Sequence, residues 1–206
     1  MEHQMSHLFA LPLYKASLNR EYSAEERLFF QNELRDPILA ISNYSSRNKN
    51  VLDAEAMQDI RKFLQSHLDN FFRITFNTAN EVSLQITQSW LTRSLKGQSH
   101  HPHTHPNSII SGALYINLAA RDGITFFRNE DNLWYELIRK EETYYNASRY
   151  FIATAVGDVV LFPSHIRHGV HAVSEDIERI SLSFNTFFSG ELGRKEFSNA
   201  VKISLG

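Results

Sequence analysis

The chain has 206 residues, with 21 Lys and Arg against 23 Asp and Glu and a formal net charge of -2. Such a balance offers nucleic acid or an anionic membrane surface nothing to hold, and a small or peptide-like substrate fits it better. Cysteine is absent, which excludes disulfides, thiolate metal sites and a cysteine nucleophile, so any metal must sit on His, Asp or Glu.

Met1 to Ser17 has no charged-then-apolar leader pattern, and no apolar run approaches the ~20 residues of a membrane span. A soluble, cytoplasmic protein is therefore the expectation. His7 to Tyr14 is a short apolar run interrupted by Pro12, which reads as an opening strand at a sheet edge. Ser23 and Glu26 have the spacing of a capping box, and Phe29, Phe30 and Leu34 follow at helical intervals up to Asp36-Pro37. Met57, Ile60, Phe63, Leu64, His67, Leu68 and Phe71 form one apolar stripe, which predicts a second helix with His67 packed at its edge.

From Ser83 the period becomes that of strands. They are expected at 84–91, 109–118, 124–128, 151–155, 159–162, 169–173 and 180–188, with Asp122-Gly123 and Gly157-Asp158 as turns. Strands after two helices predict a mainly β (α+β) sandwich or barrel with the helices packed on one outer face. The charged, Tyr-rich stretch from Asn129 to Arg149 reads as a long insertion and a lid over a site.

Seven of the ten histidines fall in two clusters, His100, His101, His103, His105 and then His165, His168, His171. Alternate residues of an extended segment share a side, so His101, His103 and His105 share a face, and a pair at i and i+2 can chelate one ion from one strand end. His168 has the opposite parity to His165 and His171, so only one parity of that cluster faces the interior. Neutral imidazoles suit iron(II), zinc, copper or nickel and do not choose among them. Downstream, Arg179 and Ser181 share a strand face and point together into the sandwich. A buried Arg demands an anionic ligand or an internal carboxylate as partner.

With His103-Thr104-His105, His168 after Leu-Phe-Pro-Ser, and Arg179-Ile180-Ser181, the sequence resembles the 2-oxoglutarate and iron(II)-dependent oxygenases. Ser89-Trp90-Leu91, the run from His103 to Gly112, Ala113-Leu114-Tyr115-Ile116 and Arg179 to Asn185 are similar to an uncharacterised oxygenase family of marine bacteria and their phages. The likeness runs from Leu8 to Asn185. It implies a double-stranded β-helix, the cupin-like jelly roll, forming one domain over residues 1–206: strand and supporting helices to 80, core over 83–188, tail over 189–206.

The resemblance further implies Fe(II), 2-oxoglutarate and O₂, with metal ligands His103, His105 and His168. Arg179, Ser181 and Tyr115 would hold the co-substrate. It implies a hydroxylase that couples conversion of 2-oxoglutarate to succinate with oxidation of an unidentified small molecule or protein side chain, in the host cytoplasm if the chain is phage-encoded. One departure stands out, since His105 occupies the place of the family's usual Asp or Glu; Glu130 or Asp131 would substitute only if the insertion folded inward. Trp90, Tyr115, Trp134, Tyr144 and Tyr145 are the candidate pocket aromatics. Two other readings remain open at this point: a three-His cupin-type metalloenzyme without 2-oxoglutarate, and a non-enzymatic metal- or ligand-binding β-sandwich.

Overall fold

The computed structural model describes residues 4, 6, 9–128 and 138–205. In chain order its elements are β1 (Tyr14–Ser17), α1 (Ala24–Glu33), β2 (Ile38–Leu39), β3 (Tyr44–Ser45), α2 (Gln58–Phe76), β4 (Val82–Ser94), β5 (His100–His103), β6 (Ile110–Asn117) and β7 (Gly123–Phe127). Then come β8 (Arg149–Ala153), β9 (Asp158–Pro163), β10 (His168–Val170), β11 (Arg179–Leu192) and β12 (Val201–Ile203).

The capping box at the start of α1 forms as expected. Ser23 Oγ accepts from the Glu26 N–H, and Glu26 Oε2 accepts from the Ser23 N–H at 2.7 Å. The stripe along α2 buries Ile60, Leu64, Leu68 and Phe71. His67 sits at its edge beside the Tyr14 hydroxyl, 2.8 Å from Nδ1. The opening strand lies later than expected, at Tyr14–Ser17, where it pairs with β9. Pro12 lacks the N–H a ladder needs, and the flanking Phe9 and Leu11 are exposed.

Two antiparallel sheets face each other, the larger ordered β1-β9-β6-β11-β4-β3-β2 with β12 on β11, the smaller β5-β10-β7-β8. Alternation gives the large sheet two different faces. Its outer side chains, among them Leu91, Leu114, Val159, Leu161, Leu182 and Phe184, join α1 and α2 in the main core. Tyr115, Val160 and Phe162 turn inward to meet Ile124 and Phe126 of the small sheet. This is the expected double-stranded β-helix with helices on one outer face. Beyond the opening strand and the seven expected after Ser83, the described residues also form β2, β3, β5 and β12; of these, β5 matters most, because it carries His103.

Inner-face residues of β4 and β11 pair directly: Gln88 with Asn185, Trp90 with Ser183, Thr92 with Ser181, Ser94 with Arg179. Along β4 that column runs from exposed Gln88 through half-buried Trp90 to buried Thr92 and Ser94. The sandwich therefore has an open end at Gln88 and a closed end at Arg179. Since the helices serve only to close the outer face, Leu68→Ala in α2 should cost about 2–5 kcal/mol. Leu39→Ala, on the exposed edge strand β2, should cost less than about 0.5 kcal/mol; urea unfolding of both variants checks the contrast.

Candidate active site

β5 and β10 pair antiparallel with His103 opposite His168, which places two imidazoles side by side on the inner face. The close approach requires Gly169. A Cβ there would meet His100 O at 2.9 Å and Pro102 N at 3.2 Å. His105 arrives differently from the expected strand alternation: β5 ends at His103, and the chain bends before Pro106. Its N–H donates to Ser164 O at 3.0 Å, so the second histidine cluster braces the first. Ser164 is fixed in turn by a hydroxyl chain, 2.8 Å to Ser111 Oγ and 2.8 Å to Ser108 Oγ, which reaches Asn185 Oδ1 through Ser111 at 3.1 Å.

Ligand-type nitrogens of His103, His105 and His168 all lie within 4.8 Å of one another, with His105 Nε2 3.2 Å from His168 Nε2. The other ring nitrogens are committed. His103 Nδ1 lies 2.8 Å from His101 O and His168 Nδ1 2.9 Å from Ile166 O, so each Nδ1–H donates to a carbonyl and leaves the Nε2 lone pair for a metal. Trp90 stacks on the His105 ring at 5.9 Å between centroids. Burial holds His105 down to about 4 and His168 down to about 3, so both are neutral and ready to ligate at pH 7. The donor set thus fits a borderline divalent ion such as iron(II).

His165 and His171 are exposed, the first in the turn after β9 and the second just past β10, rather than on a strand face as their parity assumed. His100 stacks on His103 at 4.5 Å rather than joining the triad. Glu130, Asp131 and Trp134 lie outside the described residues, with the part of the proposed lid over 129–137. Tyr144 and Tyr145 are exposed rather than pocket-lining.

At the closed end Arg179 is 3% exposed and Ser181, facing Tyr115 across β6, is 5% exposed. The partner that a buried Arg demands is an internal carboxylate: Nε donates to Asp122 Oδ2 at 2.8 Å, and Nη2 to Gly123 O at 3.2 Å. The guanidinium carbon sits 5.4 Å from the Tyr115 ring centroid. The Tyr115 hydroxyl lies beside Thr154 and Arg179, and burial pushes it up to about 12, keeping it a donor. Yet Tyr115 Oη and Thr154 Oγ1 are both buried without a hydrogen-bond partner among the described residues. Orphaned donors beside a guanidinium are what an anionic group would satisfy. Asp122, Thr154 and the hydroxyl chain were not singled out from sequence as site residues; Asp122 was read only as part of a turn.

Two outcomes follow. His168→Ala should lower divalent-metal affinity by more than about a hundredfold, while His165→Ala and His171→Ala leave it unchanged, as read by calorimetric titration with circular dichroism to verify the fold. The depressed histidines also set a pH dependence for the metal-free protein. Below their ordinary value of 6.5 the unfolded chain takes up protons that buried His100, His105 and His168 refuse until about 3 to 4. Stability should therefore fall as pH drops from about 6.5 towards 4, and urea midpoints that stay level across that window would contradict it.

The family model described as "Putative 2OG-Fe(II) oxygenase" matches residues 88–185. No curated protein matches the chain in sequence. Among solved structures, a 2OG-Fe(II) oxygenase family oxidoreductase from Burkholderia pseudomallei superposes with a TM-score of 0.56 at 17% identity, covering 84% of this chain and 83% of that one. HygX from Streptomyces hygroscopicus, with nickel, 2-oxoglutarate and hygromycin B bound, gives 0.56 at 12% identity over 85% and 82%. A Pseudomonas putida prolyl-4-hydroxylase gives 0.53 at 12% over 85% and 92%. At these identities the structures share the fold. The stretch that matches the family model spans every triad histidine together with Tyr115, Asp122, Arg179 and Ser181.

Proposed function

We propose that the protein is a non-haem iron(II) hydroxylase that uses 2-oxoglutarate and O₂, with His103, His105 and His168 holding the metal. Arg179, Ser181 and Tyr115 hold the far carboxylate of 2-oxoglutarate. The observation that carries this reading is the pairing, within one sandwich, of a neutral imidazole triad with a buried guanidinium beside orphaned hydroxyls at the closed end. A dicarboxylate with a chelating keto-acid end would answer to both. HygX, of the same fold, is known with 2-oxoglutarate bound. When bound, iron(II) and its co-substrate supply oxidising power from O₂, with 2-oxoglutarate leaving as succinate and CO₂.

The chain's own residues position and shield. Backbone carbonyls of His101 and Ile166 fix two imidazole orientations, and Trp90 limits the third. The inward apolar cluster of Ile124, Phe126, Val160 and Phe162 keeps bulk water from one wall. Substrate, a small molecule or a protein side chain, enters from the open end by Gln88 and Trp90. The Asp122 partner favours one second reading, because it gives Arg179 a reason to be buried without any co-substrate: a three-His metalloenzyme that does not use 2-oxoglutarate.

Arg179→Ala separates the two. Loss of one partner of a buried charge-assisted pair costs about 2–5 kcal/mol, so 2-oxoglutarate affinity should drop roughly thirty- to several-thousandfold while iron(II) affinity holds. Anaerobic titration of the iron(II) form, followed by its charge-transfer absorption, reads both. Binding within about threefold of wild type would favour the second reading.

A further inference from the structure

We propose that Asp122 is a positioning residue that sets which edge of Arg179 meets the far carboxylate of the co-substrate, an inference that rests on the 2-oxoglutarate reading above. Asp122 spends both carboxylate oxygens on geometry. Oδ2 accepts from Arg179 Nε at 2.8 Å, and Oδ1 accepts from the Gly123 N–H at 2.5 Å. Its backbone is tied as well: its N–H donates to Ala119 O at 3.3 Å, and its carbonyl accepts from the Thr154 N–H at 3.0 Å. Gly123 admits no side chain at this point, since a Cβ there would lie 1.9 Å from Ile152 O.

The consequence for Arg179 is directional. A guanidinium has five donors in a fixed plane. The Nε side is closed by Asp122, and one Nη2 bond goes to Gly123 O. What remains for an anion is Nη1 and the second Nη2 hydrogen, on a guanidinium whose carbon sits 5.4 Å from the Tyr115 ring centroid. The same turn fixes a second donor, because the bond from the Thr154 N–H to Asp122 O places Thr154 Oγ1 beside the Tyr115 hydroxyl. Both of those hydroxyls lack partners among the described residues. Asp122 thus ties down two of three neighbouring donor groups, the Arg179 guanidinium and Thr154, which lie beside the third, the Tyr115 hydroxyl.

Charge and geometry predict opposite signs, which makes the role testable. If Asp122 acted only through its charge, removing it would leave Arg179 more positive and tighten binding of an anion. If it positions, Asp122→Asn weakens binding, because an amide has one acceptor oxygen where two are needed and turns an NH₂ towards a donor.

The test titrates iron(II) protein anaerobically with 2-oxoglutarate and with pyruvate, which has the keto-acid end but no far carboxylate. Wild type is titrated first, and failure to bind 2-oxoglutarate sinks the functional reading and this inference together. Given binding, Asp122→Asn should weaken 2-oxoglutarate by about ten- to hundredfold and leave pyruvate and iron(II) within about threefold. Unchanged or tighter 2-oxoglutarate binding, or an equal loss for pyruvate, overturns the inference while the functional reading stands. In an Arg179→Ala background Asp122→Asn should add nothing, and an additive loss also overturns it. Should Asp122→Asn fail to fold, a crystal structure of the wild-type 2-oxoglutarate complex decides: Asp122 Oδ2 stays on Arg179 Nε, whereas a carboxylate swung away refutes the role.

Discussion

The backbone pairing of His103 with His168 is the constraint from which the site is built. Two short strands bring imidazoles from positions 65 apart into one ladder rung. The rung is possible because Gly169 admits the β5 backbone where any side chain would collide with His100 O. Once the rung exists, each Nδ1–H finds the carbonyl two residues earlier in its own chain, and both Nε2 atoms are left free and aimed alike. His105 then needs only a bend and the Ser164 carbonyl to complete the triad.

A second constraint acts through burial. The inner column of β4 and β11 becomes progressively more enclosed from Gln88 to Ser94, so a group at the far end must be satisfied by the protein or by something that enters. Hydrophobic pairs would fill that end at lower risk. Instead it carries a guanidinium, a carboxylate and two hydroxyls that lack partners among the described residues. Open donors of this kind are what an entering anionic group would satisfy.

Much of this was legible because it is local. The capping box of α1 and the stripe of α2 are patterns within a few residues, and the structure reproduces both. Of His165, His168 and His171 only His168 is buried, as expected, but β10 spans only His168–Val170, so the turn after β9 rather than strand alternation sets His165 apart. What escaped was non-local or chemically unmarked. β5 reads His-His-Pro-His, with a Pro and no β-branched residue, so nothing in its composition announces a strand. The run from His7 to Tyr14 looked like a strand by hydrophobicity, but the ladder needs N–H groups and begins only after Pro12. Asp122-Gly123 is a turn signal in any sequence; that its carboxylate meets an Arg 57 positions later depends on how β7 and β11 cross the cavity.

The charge ledger of the cavity ties the two ends together. Among the described residues the metal-ligand cluster contains no carboxylate, and three neutral imidazoles leave the double charge of a bound ion intact. Asp122, the carboxylate at the closed end, is already committed to Arg179. The metal end therefore favours an anionic ligand, whereas the closed end, its guanidinium already offset by Asp122, offers hydrogen-bond donors rather than net charge. Were a metal and 2-oxoglutarate held at the triad, the keto-acid carboxylate would bring the negative charge that His105, standing where the resemblance expects an acidic residue, does not supply.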